Sequence, residues 1–482
     1  MAEPHRSPQT NAIADWIAAQ EALLTCDAPD WEVCERLIEA SKAVSQEISP
    51  LHMTAPVEAF PLNLAPGVGN TDRPAWQRFV EADQRLKLIL AEGWIAAARL
   101  CTGVTSPPEA VIRRWAAALD ETMAKVSASE RYTKALVEWL RAGLAAGLPM
   151  RPPATPVPPS PPIANSPREI IWQDGRVTLS RYEGARRGTP LLIVHGLIGR
   201  QTVCDLEDDR SIVATLLGTG ADIWVIDWGN PARGDQTQGF TDHLERWIAR
   251  AAQTMADLTE RKPALMGICQ GGLFVLCHAA RNPDSTAGIA LTGTPVDFHA
   301  DLSGEEGCLN RLARSLPEDV IEGLLAPDGL LPGAMTGALF QAMTPGRTFK
   351  KYTVDLAEKL TDPRKMATFA RMEAWLADRP DLPGGVAREW LIDLYQKNAL
   401  VAGAFRVGGG TIDLSRIRCP ILNIVAENDH IVPPDCSRAL AQYVPNAAYR
   451  TIEVPTGHIG VFVSEAAKDR VAPGIAGWLA AI

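Results

Sequence analysis

The chain has 482 residues, 46% of them hydrophobic, so two or three folded units with at least one large core are expected. Its formal net charge of −10 opposes attraction to nucleic-acid phosphates, and we expect no nucleic-acid partner. Nine irregularly spaced cysteines do not resemble a disulfide framework, and the eight histidines form no metal-ligand motif, so we predict reduced thiols, a cytoplasmic protein and no metal.

Helical patterns fill the N-terminal region, residues 1–150. The first residues, MAEPHRSPQTNAIADW, lack the apolar segment of a secretory signal, and no run of about 18 apolar residues occurs anywhere, so we expect a soluble, non-exported protein. Apolar residues recur at three- and four-residue intervals in RPAWQRFVEADQRLKLILAEGWIAAARLC and PPEAVIRRWAAALDETMAKVSASERYTKALVEWLRAGLAAG. These stretches predict amphipathic helices. The proline-rich segment 151–167 then predicts a semi-rigid linker.

Beyond the linker, short apolar runs such as PLLIVHG, ADIWVIDWG and PALMGIC alternate with helical patterns. Near-continuous Val, Ile and Leu runs predict a mostly parallel sheet buried on both faces, in an α/β domain made of residues 168–296 and 418–482. The alternation stops in residues 297–417, where helical segments predict an inserted cap. Its aromatic residues could form an apolar lid or simply the core of the cap itself.

The stretch LMGICQGGLF places a cysteine in the pattern G-x-C-x-G between a predicted strand and a predicted helix. Glycines on both sides permit the tight turn of a nucleophile elbow, which raises the central side chain above the sheet. Cys269 is therefore the candidate nucleophile, and the N-terminus of the following helix would favour its thiolate. The alternative is a buried structural cysteine between helix-packing glycines.

Two further residues complete a catalytic triad in the chain order nucleophile, acid, histidine. Asp429 follows a predicted strand in AENDHIVPP, and His458 lies in the next such loop, VPTGHIGVF. Because a sheet of this kind presents its active site at the carboxyl ends of its strands, the three side chains are expected to meet. Taken alone, Asp429 could be a turn residue and His458 a solvated loop residue.

Neighbouring residues suggest how a developing negative charge could be stabilised. The pair His195 and Gly196 ends another predicted strand, so the amides of Leu197 and Gln270 could form an oxyanion hole. A simple strand-ending turn explains the same residues. His430, beside the predicted acid, could support the acid or merely face solvent.

From about Arg168 to the C-terminus, the chain resembles the poly(3-hydroxyalkanoate) synthases of the short, two-component bacterial type called class III. The stretches that carry the resemblance are DLEDDRSIVATLLGTGADIWVIDWGNP, GICQGGLFVLCHAA, TGTPVDF, RMEAWLADRPD, CPILNIVAENDHIVPPDCSRAL and GHIGVFVS. The Cys, Asp and His of the family fall on Cys269, Asp429 and His458. In HGLIGR this chain keeps a basic residue, Arg200, but has Gly199 where family members have Asn.

The resemblance implies an α/β-hydrolase fold and the polymerisation of 3-hydroxyacyl-CoA with release of CoA, without a cofactor. It also implies a growing polyester chain, residence on granules and a homodimer. The extra N-terminal region would be a fused counterpart of the separate helical partner subunit of the family, or its equivalent in longer synthases. A granule-associated or accessory protein could be a further partner. Two alternatives remain: a cysteine hydrolase, thioesterase or esterase, suggested by HGLIG, and a non-catalytic granule scaffold.

Overall fold

The computed structural model describes residues 75, 78–79, 81–90, 108–148, 160–164, 166–303, 307–325, 328–351, 355–359 and 362–482. Most of the predicted linker and the first part of the predicted N-terminal helical region lie outside these residues. Within the predicted helical region, residues 81–90 are helical and two longer helices follow. The boundaries of the domains remain predictions.

A central sheet of eight strands organises the described part of the chain. The strands are β1 (Arg168–Asp174), β2 (Val177–Tyr182), β3 (Arg187–Val194), β4 (Ala221–Asp227), β5 (Ala264–Ile268), β6 (Gly288–Thr292), β7 (Ile421–Ala426) and β8 (Tyr449–Val454). Their order is β1-β2-β4-β3-β5-β6-β7-β8. In this order, the six strands from β4 to β8 pair in parallel. Strand β2 pairs antiparallel with both of its neighbours, β1 and β4. The predicted mostly parallel sheet is confirmed.

Helices cover both faces of the sheet and fill the segment between β6 and β7. The α-helices are α1 (Pro108–Ser127), α2 (Glu130–Ala145), α3 (Ile212–Gly218), α4 (Ala249–Thr259), α5 (Gln270–Arg281), α6 (Cys308–Ser315), α7 (Glu318–Leu325), α8 (Gly333–Met343), α9 (Pro345–Lys350), α10 (Leu356–Lys359), α11 (Pro363–Ala377), α12 (Gly384–Arg388), α13 (Pro434–Arg438), α14 (Leu440–Tyr443), α15 (Gly460–Val463) and α16 (Ala472–Ala481). Wider π-helical turns span Asp242–Ile248, Glu389–Gln396 and Ala467–Val471. Short two-stranded pairs join Asp205–Glu207 to Arg210–Ser211, Leu330–Leu331 to Leu382–Pro383, and Arg406–Val407 to Gly410–Thr411.

The central strands are predominantly apolar because helices bury both of their faces. Every residue of β5, β6 and β7 is buried, and two hydrophobic clusters lie on opposite faces of the sheet. Side chains alternate along each strand, so neighbours such as Leu192 and Ile193 belong to different clusters. This two-sided burial fixes the sheet as a rigid platform for the loops at its carboxyl edge.

The N-terminal helices α1 and α2 pack against helices of the predicted cap. The Tyr132 hydroxyl of α2 donates a buried 2.7 Å hydrogen bond to the Ala342 carbonyl at the end of α8. Gly346 in α9 leaves room for α1, since a Cβ there would lie 2.8 Å from Met123 Cβ. Among the described residues, no helix combines the length and the apolar character needed to cross a membrane.

Candidate active site

Cys269 lies on a sharp turn between β5 and α5. Its backbone has φ +51° and ψ −118°, a conformation that is strained for a residue with a side chain. The Cys269 amide donates to the Thr292 carbonyl at the end of β6, over 2.9 Å, which anchors the turn to the sheet. A strained residue at the carboxyl end of a central strand is the geometry predicted for a nucleophile elbow.

The glycines around Cys269 are required by close backbone approaches. A Cβ at Gly271 would overlap the Val194 carbonyl oxygen of β3, and a Cβ at Gly272 would overlap the Thr294 hydroxyl. A Cβ at Gly267 would collide with the backbone of Gly272. The glycine pattern therefore allows α5 to begin directly against the neighbouring strands, with Cys269 at its N-terminus.

The structure brings Asp429 and His458 together beside Cys269. His458 Nδ1 and Asp429 Oδ2 are 2.6 Å apart, and both side chains are almost fully buried. The other carboxylate oxygen of Asp429 accepts the amides of Ile431 and Val432, each over 2.9 Å, which fixes the orientation of the carboxylate. Because Nδ1 contacts Asp429, the opposite ring nitrogen is left for the Cys269 side chain, whose negative charge is one of the causes that raise the pKa of His458.

Electrostatics at this cluster favour a charged imidazole. Burial lowers the pKa of His458, but the Asp429 carboxylate and a negative charge on Cys269 outweigh burial and raise the pKa well above its usual value. The imidazolium form of His458 is thus stabilised between two acidic groups. Such a ring can take the proton of a thiol and later return it to a leaving group.

The predicted oxyanion-hole amides of Leu197 and Gln270 are adjacent, but one of them is already engaged. The Leu197 N–H donates a buried 3.0 Å hydrogen bond to the side-chain oxygen of Gln270. A Cβ at Gly196 would lie 3.5 Å from the Gln270 amide nitrogen, so the two loops are in contact at this point. In this conformation the Leu197 N–H becomes available to an oxyanion only when the Gln270 side chain moves.

The two histidines predicted to support the site lie on different sides of it. His195 is buried, and its Nδ1 is 2.5 Å from the Gly196 carbonyl oxygen, which the ring can reach only as a donor. Burial lowers the pKa of His195 to about 4 despite the nearby Asp227 carboxylate. The neutral ring thus holds the loop that leads to Leu197. His430 instead faces the cap, where Arg347 donates to its Nδ1 over 2.8 Å.

One residue close to the proposed triad escaped the sequence analysis. Gly293, at φ +55°, lies directly against His458, since a Cβ there would be 3.1 Å from His458 Cε1. The TGTP sequence after β6 was a signal for this position, because a glycine at a strand end often marks a close approach. Tyr395, one of the aromatic residues predicted to form a lid or the core of the cap, is buried, and burial followed by the negative charge on Cys269 raises its pKa well above its usual value.

The Gly199 position, where the resembling family has Asn, is explained by Trp375 of α11. A Cβ at Gly199 would lie 2.8 Å from the Trp375 ring, whose indole N–H donates to the Arg200 carbonyl over 2.9 Å. The Arg200 guanidinium in turn pairs with Asp378 at 2.9 Å. The indole therefore fills the space of a side chain and connects the predicted cap to the loop beside the nucleophile.

Comparison with known proteins identifies the family and the fold. The model of the α/β hydrolase fold family matches residues 189–465. The poly(3-hydroxyalkanoate) polymerase subunit PhaC of Thiocystis violacea is 35% identical over 320 residues, 65% of this chain and 88% of that protein. The PhaC subunit of Allochromatium vinosum is 36% identical over 65% of this chain and 88% of its own length. That of Synechocystis sp. is 35% identical over 66% of this chain and 85% of its own length. The predicted α/β-hydrolase fold is confirmed.

Proposed function

Since this chain belongs to the PhaC family of poly(3-hydroxyalkanoate) polymerases, we propose that it polymerises 3-hydroxyacyl-CoA through a thioester on Cys269. Family membership makes the chain an acyltransferase of poly(3-hydroxyalkanoate) synthesis. The observation that supports the covalent mechanism is the buried His458–Asp429 pair at the carboxyl edge of the sheet, where Cys269 occupies the strained turn after β5. No metal is assigned a role, and within the described residues no group of His, Cys, Asp and Glu side chains could hold one.

A sulfur nucleophile suits a thioester substrate. Transfer of the acyl group from CoA to Cys269 exchanges one thioester for another, so the activation of the acyl group is retained. When the 3-hydroxyl group of a second acyl unit attacks, a thioester becomes an oxygen ester, and this downhill step drives chain growth. A serine would lose much of that driving force during loading.

Each triad residue has one task in the proposed cycle. His458 accepts the proton of the Cys269 thiol, the sulfur attacks the thioester carbonyl, and the CoA thiolate leaves with the proton from His458. His458 then takes the proton of the attacking 3-hydroxyl, and the Cys269 sulfur leaves and recovers its thiol proton. Asp429 orients the ring and stabilises its charge. General-base assistance of this kind contributes roughly 100- to 10,000-fold in rate.

Water competes with the hydroxyl group in the second step, so the site must exclude it. The Trp375 indole against Gly199 and the Arg200–Asp378 ion pair hold α11 over the loop that borders the site. We assign this segment to a lid that separates polymerisation from hydrolysis. Opening of the lid would admit substrate.

Product analysis tests the proposal. Purified protein incubated with 3-hydroxybutyryl-CoA should release CoA and form oligomers and polymer, and Cys269→Ala should abolish both. Equimolar free 3-hydroxybutyrate without oligomer would identify a thioesterase instead, the outcome that the His195-Gly196 pair of hydrolases favours. Polymer content in cells that is unchanged by Cys269→Ala would indicate a non-catalytic scaffold.

The remaining expectations concern partners and location. We assign residues 1–150 the role of a fused helical partner, because α1 and α2 already pack on α8 and α9. A homodimer, an accessory protein and residence on cytoplasmic polyester granules are proposed from family membership alone. Deletion of residues 1–150 should weaken granule association or oligomerisation, and unchanged behaviour in both assays would contradict this role.

A further inference from the structure

A basic cavity lies beside α11, and none of Cys269, Asp429 and His458 lines it. Its volume is about 890 Å³, and its walls are α10, α11 and the strand pair at residues 205–211. Six cations line it: Arg210, Lys351, Lys359, Arg364, Lys365 and Arg371. Three carboxylates line it as well: Glu207, Asp208 and Asp209. The wall therefore carries an excess of positive charge on a chain whose net charge is −10.

Part of this charge holds the walls together. Glu207 accepts from Arg371 at 2.7 Å and from Thr368 at 2.7 Å, and it pairs with Arg210 at 3.1 Å. Glu207 is mostly buried, so it neutralises these two arginines and fixes α11 to the strand pair. This clamp leaves the other cations of the wall to provide the positive potential of the cavity.

Two cations of the wall remain for a ligand. Lys351 pairs with Glu373, and Lys359 Nζ donates to the Asp355 carbonyl over 3.2 Å and lies 5.4 Å from the centre of the Phe369 ring. The ion pairs formed within the described residues do not include Arg364 or Lys365. Arg364 and Lys365 occupy the first turn of α11, where the helix dipole disfavours positive charge. Asp362 caps the same turn but accepts only its backbone amides. Two cations at a helix end that disfavours positive charge indicate a role in binding rather than in the stability of α11.

The same helix connects this cavity to the nucleophile. Met372 and Leu376 line the cavity, and both pack against the hydrophobic cluster that Cys269 also contacts. Along α11, the eleven residue-to-residue steps from Arg364 to Trp375 span about 16 Å, and Trp375 packs on the loop beside the site. A long, flexible carrier arm bound along α11 could thus reach from the cavity to Cys269.

We propose that the cavity binds the phosphate groups of the nucleotide portion of the acyl-CoA substrate. Arg364 and Lys365 contact the diphosphate and the 3′-phosphate, because guanidinium and ammonium donors recognise phosphate oxygens strongly. The pantetheine arm then runs along α11 toward Cys269. The inference rests on the proposed function and adds to it a place for the part of the substrate that does not react.

The test compares two thioesters that differ only in the nucleotide. The double variant Arg364→Ser/Lys365→Ser should lower the preference for 3-hydroxybutyryl-CoA over the 3-hydroxybutyryl thioester of pantetheine, measured as the ratio of kcat/KM values, by about tenfold or more. The matched control is Arg261→Ser/Lys262→Ser, which removes the same charge from an exposed loop after α4. Its ratio should equal that of the unaltered protein.

Direct binding separates this inference from the proposed function. Adenosine 3′,5′-bisphosphate should bind the unaltered protein in calorimetry, and inorganic phosphate at the same concentration should not displace it. The Arg364/Lys365 variant should lose most of this binding. An unchanged thioester preference or unchanged binding in that variant would overturn the phosphate site. Absence of turnover with both thioesters would instead overturn the proposed function, while the calorimetry would still decide about the site.

Discussion

Arg347 donates a 2.8 Å hydrogen bond to His430 Nδ1, and His430 directly follows Asp429 in the chain. On its other side, the His430 carbonyl accepts from the Cys308 thiol over 3.4 Å. Helices α9 and α6 therefore both hold the loop that carries the predicted acid. The position of these helices determines where Asp429 can meet His458.

His430 should not contribute an ionisation to catalysis. Burial and then the Arg347 charge lower its pKa to about 4, although Asp429 acts in the opposite direction. The ring is consequently neutral above about pH 5 and serves as an acceptor. In His430→Asn, which keeps an acceptor for Arg347, the shape of the pH–rate profile between pH 5 and 9 should match the unaltered protein. Loss of a limb near pH 6 would contradict this assignment.

Docking of α1 on α9 should be sensitive to a single methyl group at Gly346. A Cβ there would lie 2.8 Å from Met123 Cβ and 3.1 Å from Asp120 Cα, so Gly346→Ala forces the two helices apart. Overpacking of this kind costs about 1–3 kcal/mol, and it also displaces the neighbouring Arg347 from His430. Chemical denaturation and CoA-release assays should both report a loss.

The control for this change is Gly477→Ala in α16, where a Cβ meets no atom within 4 Å. An added methyl group at an unhindered helical glycine is neutral or stabilises by about 0.4–1 kcal/mol. Equal effects of the two substitutions on stability and turnover would show that α1 does not hold α9 in place.

The sheet could be predicted because its signals are local, and the contact of Asp429 with His458 could be predicted because the topology places both residues at strand ends. Runs such as ALMGI must be buried on both faces, and the elbow glycines mark a backbone approach that only glycine tolerates. The engagement of Leu197 by the Gln270 side chain could not be predicted, because it depends on a rotamer between two loops 73 residues apart. The contact of Trp375 with Gly199 likewise depends on how α11 packs on the sheet.

Gly293 should be more important for turnover than for stability. At φ +55°, an alanine pays the cost of a left-handed conformation, and its Cβ would also lie 3.2 Å from His458 Nδ1. Gly293→Ala should lower turnover roughly ten- to hundred-fold, because small displacements of a catalytic base reduce the rate strongly. Gly403→Ala pays the same backbone cost at φ +67° with no atom within 4 Å, and its turnover should stay normal. Equal turnover in the two variants would remove Gly293 from the site.

Glu389 should make stability depend on pH. Its side chain accepts the Phe240 amide at 2.6 Å, and burial, assisted by Asp393 and Asp242, raises its pKa from 4.5 to about 7. The folded state therefore binds the proton more tightly than the unfolded state, and the stability contributed by Glu389 is lost as pH rises from about 4.5 to 7.

Glu389→Gln keeps an acceptor for Phe240 without the charge. The variant should have a higher free energy of unfolding than the unaltered protein at pH 8, by about 1.4 kcal/mol for each unit of pKa shift, and a similar one near pH 4.5. Urea denaturation at the two pH values measures this difference. Glu322→Gln is the control, since an exposed pair with Arg388 lowers the pKa of that carboxyl. If the free energy of unfolding at pH 8 rose in Glu322→Gln but not in Glu389→Gln, the expectation for Glu389 would be wrong.

The hydrogen bond between Leu197 and Gln270 should restrain the first acyl transfer. An oxyanion can accept the Leu197 N–H only after the 3.0 Å bond to the Gln270 side chain breaks, at a net cost of about 1 kcal/mol. Gln270→Ala removes that competitor and should accelerate the burst of CoA release about fivefold, whereas Gln270→Glu places a negative charge beside the developing oxyanion and should slow the burst. Rapid-mixing measurements with 3-hydroxybutyryl-CoA distinguish the two signs. A slower burst in both variants would contradict this prediction. It would mean that the Gln270 side chain holds the loop in its active position, and that its bond to the Leu197 N–H does not restrain the reaction.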